Sequence, residues 1–196
     1  MPNGLCKELT ILNLKILQVG DPRLRQHCKP IEQVTPELRS LAARMIETMR
    51  AHDGVGLAAP QVGSNLRLIV VEVPGELEGR EPDWNNTQLL ILLNPEVREM
   101  TDFCKVREGC LSLPGYITFV NRAHTITAMA STLDDQQIVI NAEGLMAQAI
   151  QHEVDHLDGI LIQDHIRSIK DLIKIIPPWL GGEERNRRNS MDTVSD

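Results

Sequence analysis

Gly144-Leu145-Met146-Ala147-Gln148-Ala149-Ile150-Gln151-His152-Glu153-Val154-Asp155-His156-Leu157-Asp158 decides how the rest of the chain is read. It follows a run of β-rich segments and stops at Gly159, and its spacing predicts a helix over 144–158. Leu145, Ala149, His152 and His156 share one stripe, with Met146, Ile150 and Leu157 beside it. A helix that is apolar nearly all round is buried. A buried helix that also carries two histidines and a carboxylate needs something there to satisfy them. The histidines are four apart, so they lie on one face, one turn above the other. Both imidazoles can then reach one divalent cation. Glu153 lies between them and projects beside such a cation, where a water would sit. The pentad leaves the third ligand open, and an HExxH string can also arise by chance on any buried helix.

Upstream, Thr35-Pro36-Glu37 supplies a capping hydroxyl, proline at the first helical position and an acid. A helix is expected from about Pro36 to Ala51, with Leu38, Leu41, Ala42, Met45, Ile46 and Met49 on its apolar face. Ile11–Leu17 is read as extended, and Asp21-Pro22 as a turn. Leu66–Val73 is rich in β-branched residues and ends at Pro74-Gly75, as a strand does. Glu76–Asn86 reads as a polar loop. Gln88–Leu93 is a second strand closed by Asn94-Pro95, and Val97–Val106 a third. Thr118–Val120, Thr125–Ala130 and Gln137–Ile140 are further short strands. Asp164–Ile176 is read as a terminal helix ended by Pro177-Pro178. The expected architecture is α+β: short antiparallel β-sheets packed around a central buried helix carrying HExxH, with a C-terminal helix. One domain is expected over residues 1–182, and a disordered polar tail over 183–196.

The chain has 196 residues, enough for one sizeable core. Aromatic residues make up 3 %, so the core is built from Leu, Ile, Val, Met and Ala. A net charge of −7 argues against broad nucleic-acid binding. No apolar run approaches the roughly 18–20 residues a membrane helix needs. Cys6, Cys28, Cys104 and Cys110 show no Cys-x-x-Cys pairing and do not read as a disulfide framework. Without an apolar h-region at the N-terminus, a reducing cytoplasm is the expected compartment.

Cys104, Cys110, the other four histidines and many carboxylates are candidates for the third ligand. Glu108-Gly109-Cys110-Leu111-Ser112-Leu113-Pro114-Gly115 stands out, because Gly109 and Pro114-Gly115 bracket Cys110 in tightly turned backbone. Such a loop can present a thiolate with an unpaired backbone N–H nearby. Here the chain resembles the peptide deformylases. Three segments carry the resemblance in the family's order: Gly54-Val55-Gly56-Leu57-Ala58-Ala59-Pro60-Gln61, Glu108-Gly109-Cys110-Leu111-Ser112, and Gln151-His152-Glu153-Val154-Asp155-His156. Asp21-Pro22-Arg23-Leu24-Arg25 also looks like the family's N-terminal region.

The resemblance implies a site of Cys110, His152 and His156 with water as the fourth ligand. The metal would be Fe(II), with zinc, nickel or cobalt able to substitute. It implies removal of the formyl group from the formyl-methionine of new polypeptides, through attack of a metal-bound hydroxide. Glu153 would take the water proton and pass it to the departing amine. The Gln61 side-chain amide and the Leu111 N–H would stabilise the oxyanion. Gly54, Val55, Gly56, Leu145 and Ala149 would line or approach the methionine pocket, with Gln148 a polar departure on its wall. Arg122 would pair with Glu108 to brace the Cys110 loop. Ile117 stands where some members carry an arginine. The partners implied are N-formylmethionyl nascent peptides and, through them, a transient ribosome contact, for which Arg185, Arg187 and Arg188 are candidates. His27, His52, His124 and His165 read as surface or satisfied histidines, and Asp155 and Asp158 as helix-surface charges.

Two other readings compete. A zinc protease would draw its third ligand from downstream, where His165 and Asp164 stand, but the longer metzincin pattern is absent. A structural metal site would need a fourth protein ligand and would leave Glu153 and Gln61 without a role.

Overall fold

The computed structural model describes residues 14–75 and 83–175. The expectations for Ile11–Asn13, residues 76–82 of the polar loop, Pro177-Pro178 and the 183–196 tail lie outside them. The fold is α+β, with one antiparallel sheet and two α-helices among the described residues, α2 being the more C-terminal of the two.

Helix α1 spans Pro36–Ala51, and Thr35 Oγ1 caps it by accepting from the Leu38 N–H at 3.2 Å. Strands β1 (Gly56–Ala58), β2 (Leu68–Gly75), β3 (Asp83–Gly109), β4 (Tyr116–Ser131) and β5 (Gln137–Glu143) lie in sequence order across the sheet. A two-residue strand, β6 (Ile173–Lys174), pairs with the start of β4. Helix α2 spans Gly144–Leu157.

The continuous apolar run of β2 has a simple cause: both of its faces are covered. Leu68 and Val70 pack with Leu38, Ala42, Met45 and Met49 of α1. Ile69, Val71 and Val73 pack with Met146, Ala147 and Ile150 of α2. The two helices therefore sandwich this part of the sheet. Burying side chains of this size contributes roughly 1.5–3 kcal/mol each, an upper bound against a compact unfolded chain.

Three expectations change. Not all of the β-segments are short: the expected strands at 88–93 and 97–106 are parts of one 27-residue strand, β3. Asn94 takes φ +50° and the register shifts between Leu93 and Glu96, so Asn94-Pro95 makes a bulge rather than an end. A bulge also tolerates the proline, which has no N–H to give the ladder. Likewise the segments at 118–120 and 125–130 belong to one strand, β4. No helix forms over 164–175; two 3-10 turns, Ile162–His165 and Ile169–Asp171, lead into β6. Asp164 Oδ2 accepts from the Leu161 N–H at 2.8 Å, and Asp171 Oδ2 from the Ser168 N–H at 3.0 Å, closing both turns locally.

Gln151 docks α2. Its amide nitrogen donates to the Ala123 carbonyl at 2.8 Å, and its oxygen accepts from the Ala123 N–H at 3.0 Å. Ala123 lies between the stretches of β4 that pair with β6 and β5, so the glutamine satisfies backbone no strand covers. The next residue on the helix is His152.

Candidate metal centre

Helix α2 carries His152, Glu153 and His156, all buried, towards the turn that follows β3. That turn presents Cys110. One ligand atom from each of Cys110, His152 and His156 lies within 4.8 Å of the others, and they form the one such Cys/His/carboxylate cluster among the described residues. Cys110 Sγ is 3.3 Å from His156 Nε2, and the imidazole centroids are 5.1 Å apart.

The electrostatics call for a cation. Burial pulls the His152 imidazole down, but the Cys110 sulfur and the Glu108 carboxylate outweigh it and hold His152 well above the usual histidine range. Burial, reinforced by the charge of His152, pushes His156 well below that range. The two rings are thus biased in opposite directions, His152 towards the charged form and His156 towards the neutral one. As ligands of a cation, both would have to be neutral. Sulfur with two imidazoles suits iron, zinc, nickel or cobalt.

Glu153 is the second buried anomaly. Its Oε2 has no hydrogen-bond partner among the described residues. Burial pushes its carboxyl up to about 7. Gly56 of β1 makes the room: a Cβ there would overlap the Glu153 carboxylate.

Gln61 sits in the 3-10 turn Ala59–Val62, buried. Its Oε1 accepts from the Ala58 N–H at 2.7 Å. Its Nε2 therefore faces inward, 3.2 Å from Ser112 Oγ and 3.7 Å from Cys110 Sγ. Leu111 lines the same cavity, which measures about 150 Å³. Val55, Gly56, Leu145 and Ala149 also line it, whereas Gly54 faces a second cavity with Arg50, Glu72 and Trp84. Gly54 still matters locally, since a Cβ would come within 2.8 Å of Leu111 Cδ1. Gln148 lies at the rim and donates to the Arg107 carbonyl at 3.0 Å.

Behind the ligands, Glu108 Oε2 accepts from His152 Nδ1 at 2.9 Å. Arg122 forks onto Glu108 with bonds of 2.9 and 3.2 Å. These hydrogen bonds outweigh burial, which raises the Glu108 carboxyl, and bring it down to about 2. Asp155 is not a free surface charge: it accepts from Arg122 at 2.6 Å, and Asp158 accepts from Arg67 at 2.6 Å. His165 lies 2.7 Å from Asp155, away from the ligand cluster. Ser112 and Asp155 lie within the quoted motifs, but their contacts, like that of His165, are not revealed by spacing. For Ser112 the one available signal was adjacency to the Gly109-Cys110-Leu111 turn.

Among the described residues, no helix is long and apolar enough to cross a membrane. The sequence model of the polypeptide deformylase family matches residues 13–171. A peptide deformylase of Carboxydothermus hydrogenoformans is 44 % identical over 155 residues, covering 79 % of this chain and 94 % of that one. A peptide deformylase of Dictyoglomus thermophilum is 43 % identical over 160 residues, covering 82 % and 95 %. The crystal structure of peptide deformylase from Thermotoga maritima is 35 % identical, with a TM-score of 0.70 over 80 % of this chain and 99 % of that one. A Cys/His/His cluster with both imidazoles buried, a carboxylate beside it and matches of this extent agree: the chain belongs to the polypeptide deformylase family.

Proposed function

We propose that this chain takes the formyl group from the N-terminal formyl-methionine of newly made polypeptides, using a divalent cation held by Cys110, His152 and His156. Family membership gives the coarse activity, a metal-dependent peptide deformylase. The observation that supports the finer reading is the unpaired, buried Glu153 Oε2 beside three converging ligand atoms. We assign Fe(II) as the native ion, with zinc, nickel and cobalt able to occupy the same donors.

When bound, the cation supplies Lewis acidity, which brings the pKa of a water towards roughly 7. Glu153 does the proton work. A carboxyl whose affinity for protons lies near neutral both accepts from the attacking water and returns the proton to the amine that leaves. The carbon–nitrogen bond of the formamide breaks, and formate and a free N-terminal amine result. Gln61 and Leu111 take the oxygen that gains charge. The Ala58 N–H holds the Gln61 amide so that its donor end faces the site, which spares reorganisation as charge develops. A neutral amide and a backbone N–H achieve this without adding a second cation to desolvate.

Val55, Leu145 and Ala149 give the methionine side chain apolar walls. Gly54 approaches the pocket from behind Leu111, where a side chain would press on that wall. Among the described strands β1 pairs only with β2; on its other side the Ala58 N–H is taken by Gln61, and Gly56, which lines the cavity, is the position left to meet an extended peptide.

Glu153→Gln tests the assignment, because it keeps shape and removes the base. The expected result is a fall in kcat of about 10²–10⁴-fold with metal content unchanged. Wild-type kcat in this variant would overturn the role of Glu153.

A further inference from the structure

The two histidine ligands are supported unequally. His156 Nδ1 is buried with no partner among the described residues. His152 Nδ1 begins a chain of charged hydrogen bonds that reaches the surface. It donates to Glu108 Oε2, which also accepts from Arg122. The far nitrogen of Arg122 donates to Asp155 Oδ2 at 2.6 Å, and His165 Nε2 meets the same oxygen at 2.7 Å. The chain thus joins β3, β4, α2 and the 3-10 turn Ile162–His165.

Each link constrains the next. A ligand imidazole that donates from Nδ1 to a carboxylate presents Nε2 to the cation in a fixed orientation. The Glu108 carboxylate can turn only if Arg122 turns, since the guanidinium grips both of its oxygens. Arg122 is almost wholly buried, and its third bond, to Asp155, sets its tilt. Asp155 is on the helix surface and retains some exposure, so the bond from Arg122 is its one contact on the buried side and a second donor on the outer side braces it. His165 is that donor. Because its Nε2 faces a carboxylate, this nitrogen carries the proton.

We propose that His165 is a positioning residue for His152, acting through Asp155, Arg122 and Glu108. Neither the HExxH spacing nor the Cys110 loop contains it. The inference rests on the metal reading above, so its test reads metal retention rather than turnover. Loaded with Co(II), the wild-type chain is compared with His165→Phe, which keeps a ring and loses the donor. His165→Gln, which keeps an N–H of similar reach, is the rescue. The measurements are the rate of Co(II) transfer to excess chelator and the ligand-field absorption of the bound ion.

His165→Phe is expected to release Co(II) about 3–10 times faster than wild type, below the range for a direct partner of a ligand. Its ligand-field band should shift, and His165→Gln should return both readouts most of the way to wild type. Equal release from wild type and His165→Phe overturns the proposal. Equal acceleration in the Phe and Gln variants also overturns it, because the effect then belongs to packing of the turn. Formate release by the wild-type chain, measured in parallel, tests the functional reading separately. A wild-type chain that takes up no Co(II) overturns both.

Discussion

The Gln61 amide is held one way round. Its oxygen is committed to the Ala58 N–H, so its nitrogen must face Ser112 and Cys110. Gln61→Leu removes that donor and leaves the three ligands in place. We expect kcat to fall about 10²–10³-fold, with metal content unchanged, in steady-state formate release. Unchanged kcat would remove Gln61 from oxyanion stabilisation. At this scale the sequence was legible wherever function follows local spacing. His152, Glu153 and His156 sit within five positions, and helical geometry alone puts them on one side. Cys110 needed the resemblance as well, because its distance to α2 is closed by tertiary structure. The contacts of Ser112, Asp155 and His165 were not legible. Each meets a partner brought from another element, and a serine, aspartate or histidine in the sequence carries no sign of its partner.

Asn94 does most to shape the elements around the site. The Asn-Pro pair reads as the end of a strand, yet β3 continues through it. Asn94 adopts the left-handed φ of +50°, which asparagine accepts better than most residues. Its side chain also bonds both ways with Ile31, accepting from the N–H and donating to the carbonyl, each at 2.8 Å. Backbone strain and side-chain bonding can be separated by substitution. Asn94→Gly tolerates the φ and loses the two bonds, at a cost of about 1–3 kcal/mol. Asn94→Ala loses the same bonds and adds strain of about 1–2 kcal/mol. Urea unfolding should rank them wild type, Gly, Ala. Equal stability of the two variants would contradict the strained conformation. The same kind of local chemistry replaced the expected terminal helix. Asp164 and Asp171 each close a turn on a nearby backbone N–H, which competes with helix formation. Helix α1 was legible to the residue, because its cap, its proline and its apolar face all agree.

Across the whole molecule, the sheet lies between two helices where β2 crosses it, and one buried ion pair joins the long β3–β4 hairpin to the site. The Glu108 carboxyl, held down first by His152 and then by Arg122 against the effect of burial, sets a pH dependence of stability. Folding lowers the Glu108 carboxyl from 4.5 to about 2, so its stabilisation is fully present above pH 4.5 and is lost as pH falls through about 2. Urea midpoints of the wild type should fall over this window, and those of Glu108→Gln should fall less steeply. Parallel profiles would place the acid sensitivity elsewhere. The central claim concerns the ion held between α2 and the Cys110 turn. Its most direct test is anaerobic purification, metal analysis and formate release from a formyl-Met peptide on the same samples. We expect one Fe(II) per chain at full loading, activity proportional to bound Fe(II), and loss of formate release on chelation with recovery on re-addition. Formate release that persists after the metal has been stripped would contradict it.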